Sequence, residues 1–270
     1  MPWAPDDAYL RGLEITLAAA RTESDPMRGE ELLSAVVGNT APRDVPALLD
    51  ALSTRNQDGV LRDLELRLLR RWAENDPRSA ADWVTRTAAG PLRTEAINSI
   101  SIAWASQDPA AAANWARQLP AIAERQSALL QTAYEAARTA PQEALTLAAE
   151  LNAGPARNDL VTHAAMQWAA TEPEKAAKWA GQIQDRPLRE RVLSTIAAAW
   201  GDTDPAAAAR LAVDSLHPGR LQDEAVIGIV ARWVQTGPEG ATAWVAQFPA
   251  GQLRESALAI LAANGVVAAQ

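Results

Sequence analysis

Cysteine is absent from the 270 residues of this chain. That excludes disulfides, thiolate catalysis and cysteine-ligated zinc, and it leaves cytoplasm and periplasm equally open. Lysine is nearly missing too. Lys175 and Lys178 stand against 23 Arg, which together with abundant alanine reads as GC-rich coding. No uninterrupted apolar run reaches the roughly 18 residues of a bilayer span, so a soluble chain without membrane contact is expected. The opening residues, Met1 to Asp7, carry neither a basic nor an apolar stretch, so no signal peptide is expected there. Phosphate-cradling glycine loops, HExxH, GxSxG and EF-hand patterns are also missing. Their absence counts against metalloproteases, nucleophile-elbow hydrolases and nucleotide enzymes. It says little about glycosidases, which need only two carboxylates placed by the fold.

Positive charge is in deficit. The formal net charge is -8, whereas a duplex-binding protein presents a basic face to phosphates. Nucleic acid and anionic membranes are therefore not expected as partners. Hydrophobic residues make up 48 % of the chain, enough for a packed core rather than disorder.

What the chain does have is a repeat. Pro77, Pro109, Pro141, Pro173, Pro205 and Pro238 recur at intervals of 32 residues, with a single interval of 33. Five residues before each proline stand Trp72, Trp104, Ala136, Trp168, Trp200 and Trp233. Six residues after it stand Trp83, Trp115, Leu147, Trp179, Leu211 and Trp244. Nine of the ten tryptophans occupy these two slots, so the period is not accidental.

Each period reads as a helical hairpin. A longer helix A carries apolar residues at i, i+3 and i+7, as in Ile97, Ile100 and Trp104, or Leu193, Ile196 and Trp200. Asp76-Pro77, Asp108-Pro109 and Asp204-Pro205, with Glu172-Pro173 as a variant, then supply an N-cap and a first helical residue for a shorter helix B. Alanine three residues into helix B permits close helix approach, with the second Trp slot filling the space beside it. Short connections at both ends make successive helices antiparallel. One hairpin cannot bury both of its faces, whereas stacked hairpins can.

The expected fold is all-α: a right-handed α-solenoid of about six stacked antiparallel hairpins, forming one domain over 1–270. Divergent N-terminal helices occupy 1–59, with Pro42 as a degenerate copy and Ser53 to Gly59 as a longer loop. Regular repeats fill 60–249, and a capping helix and tail fill 250–270. The Trp-x4-Pro-x5-Trp unit resembles the tetratricopeptide and HEAT class of helical repeats. Its length and residue pattern differ from both, so the resemblance implies an architecture and a habit of binding proteins. It transfers no functional residue.

Three ladders are candidate sites. The tryptophans suggest a stacking surface, but aliphatic residues at the same slots (Ala136, Leu147, Leu211) point to core. The Asp ladder suggests cations, yet repeat-related carboxylates lie about 10 Å apart and do not converge as calcium requires. The third ladder is Arg93, Arg125, Arg157, Arg189 and Arg254, each sixteen residues after its proline, with Arg220 one residue early in the fifth unit. These arginines fall at the start of helix A, where the macrodipole disfavours a cation. Something must compensate: carboxylates such as Asp159 or Glu190, helix B carbonyl ends, or the carboxylates of a bound peptide. His217 reads as a turn residue and His163 as a residue within helix A, with no triad geometry for either.

The expected function is a non-catalytic scaffold that binds a protein or extended peptide in the solenoid groove, with that arginine row as its contact. No cofactor or metal is expected. Two alternatives are a structural module with weak end-to-end self-association through Ala259 to Ala263 and Val266-Val267, and an all-α enzyme using carboxylates as acid and base.

Overall fold

The computed structural model describes residues 3–53, 55, 58–87 and 90–266. The described residues form sixteen α-helices and no strand, and the chain divides into two compact units, Met1–Ala136 and Ala137–Gln270.

In the first unit, α1 (Asp7–Thr22) and α2 (Pro26–Asn39) are followed by a 3-10 turn (Pro42–Asp44) and α3 (Val45–Ser53). Then come α4 (Gly59–Asn75), α5 (Pro77–Arg86), α6 (Pro91–Ala105), α7 (Pro109–Gln118) and α8 (Ile122–Ala136). Helix α4 packs on α6 and α6 on α8, while α5 lies against α4 and α6, and α7 against α6 and α8. Both α1 and α2 pack on α4 as well as on each other. The sequence places a longer loop at Ser53 to Gly59. Ser53 ends α3 and Gly59 begins α4, while Thr54, Asn56 and Gln57 lie outside the described residues.

The second unit repeats the scheme. It contains α9 (Pro141–Ala148), α10 (Pro155–Ala169), α11 (Pro173–Ala180), α12 (Arg186–Trp200), α13 (Pro205–Ser215), α14 (Arg220–Thr236), α15 (Pro238–Val245) and α16 (Gln252–Ala263). The long helices α10, α12, α14 and α16 pack in succession. Short helices α11, α13 and α15 each lie against the long helix before and the long helix after.

The short helices start where Asp-Pro places them. The side chains of Asp76, Asp108 and Asp204 accept from the amides of Ser79, Ala111 and Ala207 at 3.1, 2.9 and 2.9 Å, and the following proline sits in the first turn. Glu172 differs from the expected variant cap, because it makes no cap bond. Its longer chain carries the carboxylate to the Trp168 indole N–H (2.9 Å) and to the Lys175 ammonium. Two long helices begin after a glycine in the left-handed region, Gly219 (φ 148°) and Gly251 (φ 156°), where a side chain would be strained.

The core follows the repeat. All six alanines three residues after the prolines (Ala80, Ala112, Ala144, Ala176, Ala208 and Ala241) are fully buried. Short and long helices can approach closely there, and a larger side chain would have no room. Beside them the two tryptophan slots of one hairpin meet. Ring centroids are 5.9 Å apart for Trp104 and Trp115, 6.2 Å for Trp168 and Trp179, and 5.8 Å for Trp233 and Trp244. Tilted pairs at this range add about 0.5–1.5 kcal/mol beyond their buried area. The slot tryptophans are buried in the first unit and half-buried in the second. At the C-terminal end Leu261 is fully buried in a cluster with Val230, Val234, Val245 and Ala257. Val267 lies outside the described residues. No described helix is long and apolar enough to cross a membrane.

Candidate functional site

The arginine ladder is placed by the start of each long helix, and its side chains turn back toward the end of the preceding short helix. Arg93, 9 % exposed, donates through Nη1 to the carbonyls of Thr85 (3.0 Å) and Thr87 (2.9 Å) at the end of α5. Through Nε and Nη2 it grips both oxygens of Glu124 on α8, at 2.8 and 3.0 Å. Arg125 donates to the carbonyls of Leu119 and Pro120, Arg157 to Ala148 and Arg189 to Ile183, at 3.2, 3.5, 3.1 and 2.8 Å. No side-chain hydrogen bond is recorded for Arg254 among the described residues.

These bonds resolve the electrostatic difficulty of a cation at a helix start. The last carbonyls of a helix have no intrahelical donor and carry the negative end of its dipole. A guanidinium laid across them satisfies acceptors and meets favourable charge. The nearby carboxylates have other partners: Asp159 pairs with Arg191, and Glu190 with Arg186 and His217. The Arg186 hydrogen bond is the main reason the Glu190 carboxyl titrates below its usual value.

In the fifth unit Arg220 does not take the ladder's place. It is exposed and pairs with Glu224. Gln222 does take it, donating through Nε2 to the carbonyls of Ala212, Val213 and Leu216 at 3.3, 3.2 and 3.1 Å. Counting back from the tryptophan instead of forward from the proline reveals this. Arg93, Arg125, Arg157, Arg189 and Gln222 all stand eleven residues before Trp104, Ala136, Trp168, Trp200 and Trp233. The extra residue of the 33-residue interval lies between Pro205 and this slot.

The same count shows that the first unit departs from the rest. Its ladder slot holds Leu61, buried, and an arginine follows at Arg62. Seven residues before the tryptophan slot, five repeats hold Ile97, Leu129, Val161, Leu193 and Val226, all buried. The first unit holds Glu65, which is 1 % exposed. A carboxylate thus occupies a position that the repeat fills with aliphatic side chains.

Glu65 lines a cavity of about 700 Å³ together with Asp50, Arg62, Trp83, Arg86 and Leu92. The Trp83 indole N–H donates to Asp50 Oδ1 at 2.8 Å, which fixes both the ring and that carboxylate. Trp115, at the same slot one repeat later, has its indole nitrogen buried with no hydrogen-bond partner. The Nε of Arg62 is likewise buried with no partner.

A second feature of the first unit lies on the solvent side of α4. Arg67, Arg70 and Arg71 stand at i, i+3 and i+4 on one helix face. They line a groove of about 460 Å³ with Val37, Pro42 and Glu74. Arg67 is engaged by Asp63 (3.0 Å), Glu30 and Ser34 (both 3.4 Å). Among the described residues the guanidinium groups of Arg70, which is exposed, and Arg71, which is half-buried, make no ion pair or hydrogen bond, although the Arg71 carbonyl accepts from the Asn75 amide at 2.8 Å. Sequence reasoning built on the repeat passes over this cluster, because it occurs in one unit only and its apolar wall comes from α2 and the 3-10 turn.

No group of His, Asp and Glu side chains among the described residues could hold a metal ion. Comparison with protein-family models, with curated proteins and with solved structures finds no match to this chain.

Proposed function

We propose that this chain is a non-catalytic binding scaffold, a right-handed α-solenoid of about six hairpin repeats, and that it takes an extended, acidic segment of a protein partner. One observation carries the reading: the groove of Arg67, Arg70 and Arg71 beside the apolar Val37 and Pro42, on a chain whose net charge is -8. Guanidinium groups pair with carboxylates in bidentate fashion, and a groove with an apolar wall and a cationic rim suits a peptide with alternating acidic and apolar residues. The even spacing of Pro77 to Pro238 supports the solenoid, and sequential helix packing within each unit agrees with it. In this reading the ladder arginines hold the hairpins together through carbonyls. Asp50, held by the Trp83 indole, serves to position that ring rather than to transfer protons.

The test is a titration of a fluorescein-labelled Glu/Leu decapeptide, read by anisotropy, against the intact protein. The expected result is saturable binding that weakens several-fold between about 0.05 and 0.5 M salt as screening shortens. A matching Lys/Leu peptide should not bind. Equal binding of both peptides, or of neither, contradicts the proposal.

A further inference from the structure

We propose that the groove of Arg67, Arg70 and Arg71 anchors its acidic partner by a phosphorylated side chain, with an apolar residue of the partner beside it. This rests on the reading of that groove as an acidic-peptide site. The repeat shows that the cations are not structural. Arg70 and Arg71 stand two and one residues before the tryptophan slot at Trp72. At the first of these positions the other repeats hold Ile102, Tyr134, Met166, Ala198 and Ala231, none of them charged. At the second, Ala103 and Ala199 show that no charge is needed. The one other arginine there, Arg232, is engaged by Asp202 at 3.4 Å and by the Ala198 carbonyl at 3.2 Å.

Arg67 has its partners in Asp63, Glu30 and Ser34, whereas the guanidinium groups of Arg70 and Arg71 have none among the described residues. They stay unpaired in a chain with 33 acidic against 25 basic residues. Glu74, exposed at the edge of the same groove, forms an ion pair with neither. The two groups border one groove from adjacent residues of α4. A carboxylate has two oxygens, which a single guanidinium covers with parallel hydrogen bonds. A side-chain phosphate has three terminal oxygens and a charge of about -1.5 to -2 at neutral pH. Two guanidinium groups match it in charge and in donors, where a lone carboxylate leaves one of them uncompensated. Half-buried Val37 and Pro42 wall the groove for the neighbouring apolar residue. A walled groove of about 460 Å³ suits one phosphorylated side chain rather than a run of nucleic-acid phosphates or a lipid surface.

The test compares three fluorescein-labelled peptides by anisotropy on the full chain. They are the Glu/Leu decapeptide, the same peptide with one central Glu replaced by phosphoserine, and the decapeptide lengthened by one terminal Glu. The phosphopeptide should bind about ten-fold tighter than the parent, and the added carboxylate should give little of that gain. Arg70→Ala and Arg71→Ala should each remove most of it. Arg70→Lys should restore little, because an ammonium cannot make the paired hydrogen bonds of a guanidinium. Arg70 is exposed, so its variants keep the fold, which an unchanged Tm verifies. The proposal is overturned if the phosphopeptide and the lengthened peptide bind alike, or if the gain survives loss of both arginines. It is also overturned if inorganic phosphate displaces the phosphopeptide at a concentration near the phosphopeptide's own Kd, which would assign the groove to the free anion. Saturable binding of the unphosphorylated decapeptide decides the acidic-peptide reading independently of all three results.

Discussion

Arg93 and Glu65 lie on packed neighbours, α6 and α4, and both are charged and buried. They answer to different demands. Arg93 has its donors matched by two carbonyls and a carboxylate that is itself largely buried, so removing it strands Glu124 and two helix-end acceptors. Arg93→Ala should cost about 3–5 kcal/mol in urea unfolding, the range for breaking a buried pair. Arg93→Lys should recover little, since an ammonium cannot span a bidentate carboxylate and two carbonyls at once. Glu65 stands where the repeat uses aliphatic residues. Glu65 was open to sequence reasoning only through the slot seven residues before the tryptophan. The proline period that reveals the repeat draws attention to what recurs, and Glu65 matters because it does not.

At the scale of one helix, the Asp-Pro starts make a prediction about pH. Hydrogen bonds from Ser79, side chain and backbone, hold the Asp76 carboxyl below its usual value. The Leu61 amide does the same for Asp58 at the start of α4, assisted by Arg21. A carboxyl whose folded pKa lies below its unfolded one stabilises the fold at pH above the unfolded value, about 4. That contribution is lost as pH falls through the folded value. Tm should thus be flat from neutrality to about pH 4 and fall below it. Asp76→Asn keeps a competent cap without a titrating group, so its Tm should fall less steeply in acid than that of the parent, as scanning calorimetry between about pH 5 and 2 would show. A parallel decline would remove Asp76 as a contributor. The three Asp caps and six buried alanines were legible because each depends only on local spacing. Glu172 and Gln222 were not. One extra methylene takes the Glu172 carboxylate past the helix-start amides to an indole, and one extra residue before Gln222 moves the ladder slot out of step with its proline.

For the molecule as a whole, the sequence made the helices and their order of packing legible, because the residues that define a hairpin recur and lie close together in the chain. The grooves were not. Val37, Pro42 and Arg71 come together only through the packing of α2, the 3-10 turn and α4, in the part of the chain where the repeat has decayed. Two sets of arginines now carry opposite expectations. Arg125, Arg157 and Arg189 are turned onto carbonyls at the end of the preceding short helix, whereas Arg70 and Arg71 face the groove.

The most direct measurement compares two variants, Arg70→Ala with Arg71→Ala and Arg125→Ala with Arg157→Ala and Arg189→Ala, for Tm and for affinity to the acidic decapeptide. The account predicts that the groove variant keeps its Tm and loses about ten-fold or more in affinity, while the ladder variant loses stability by about 1–3 kcal/mol per arginine and binds normally below its melting temperature. The reverse pattern, a stable ladder variant that no longer binds and a groove variant that binds as before, would contradict it.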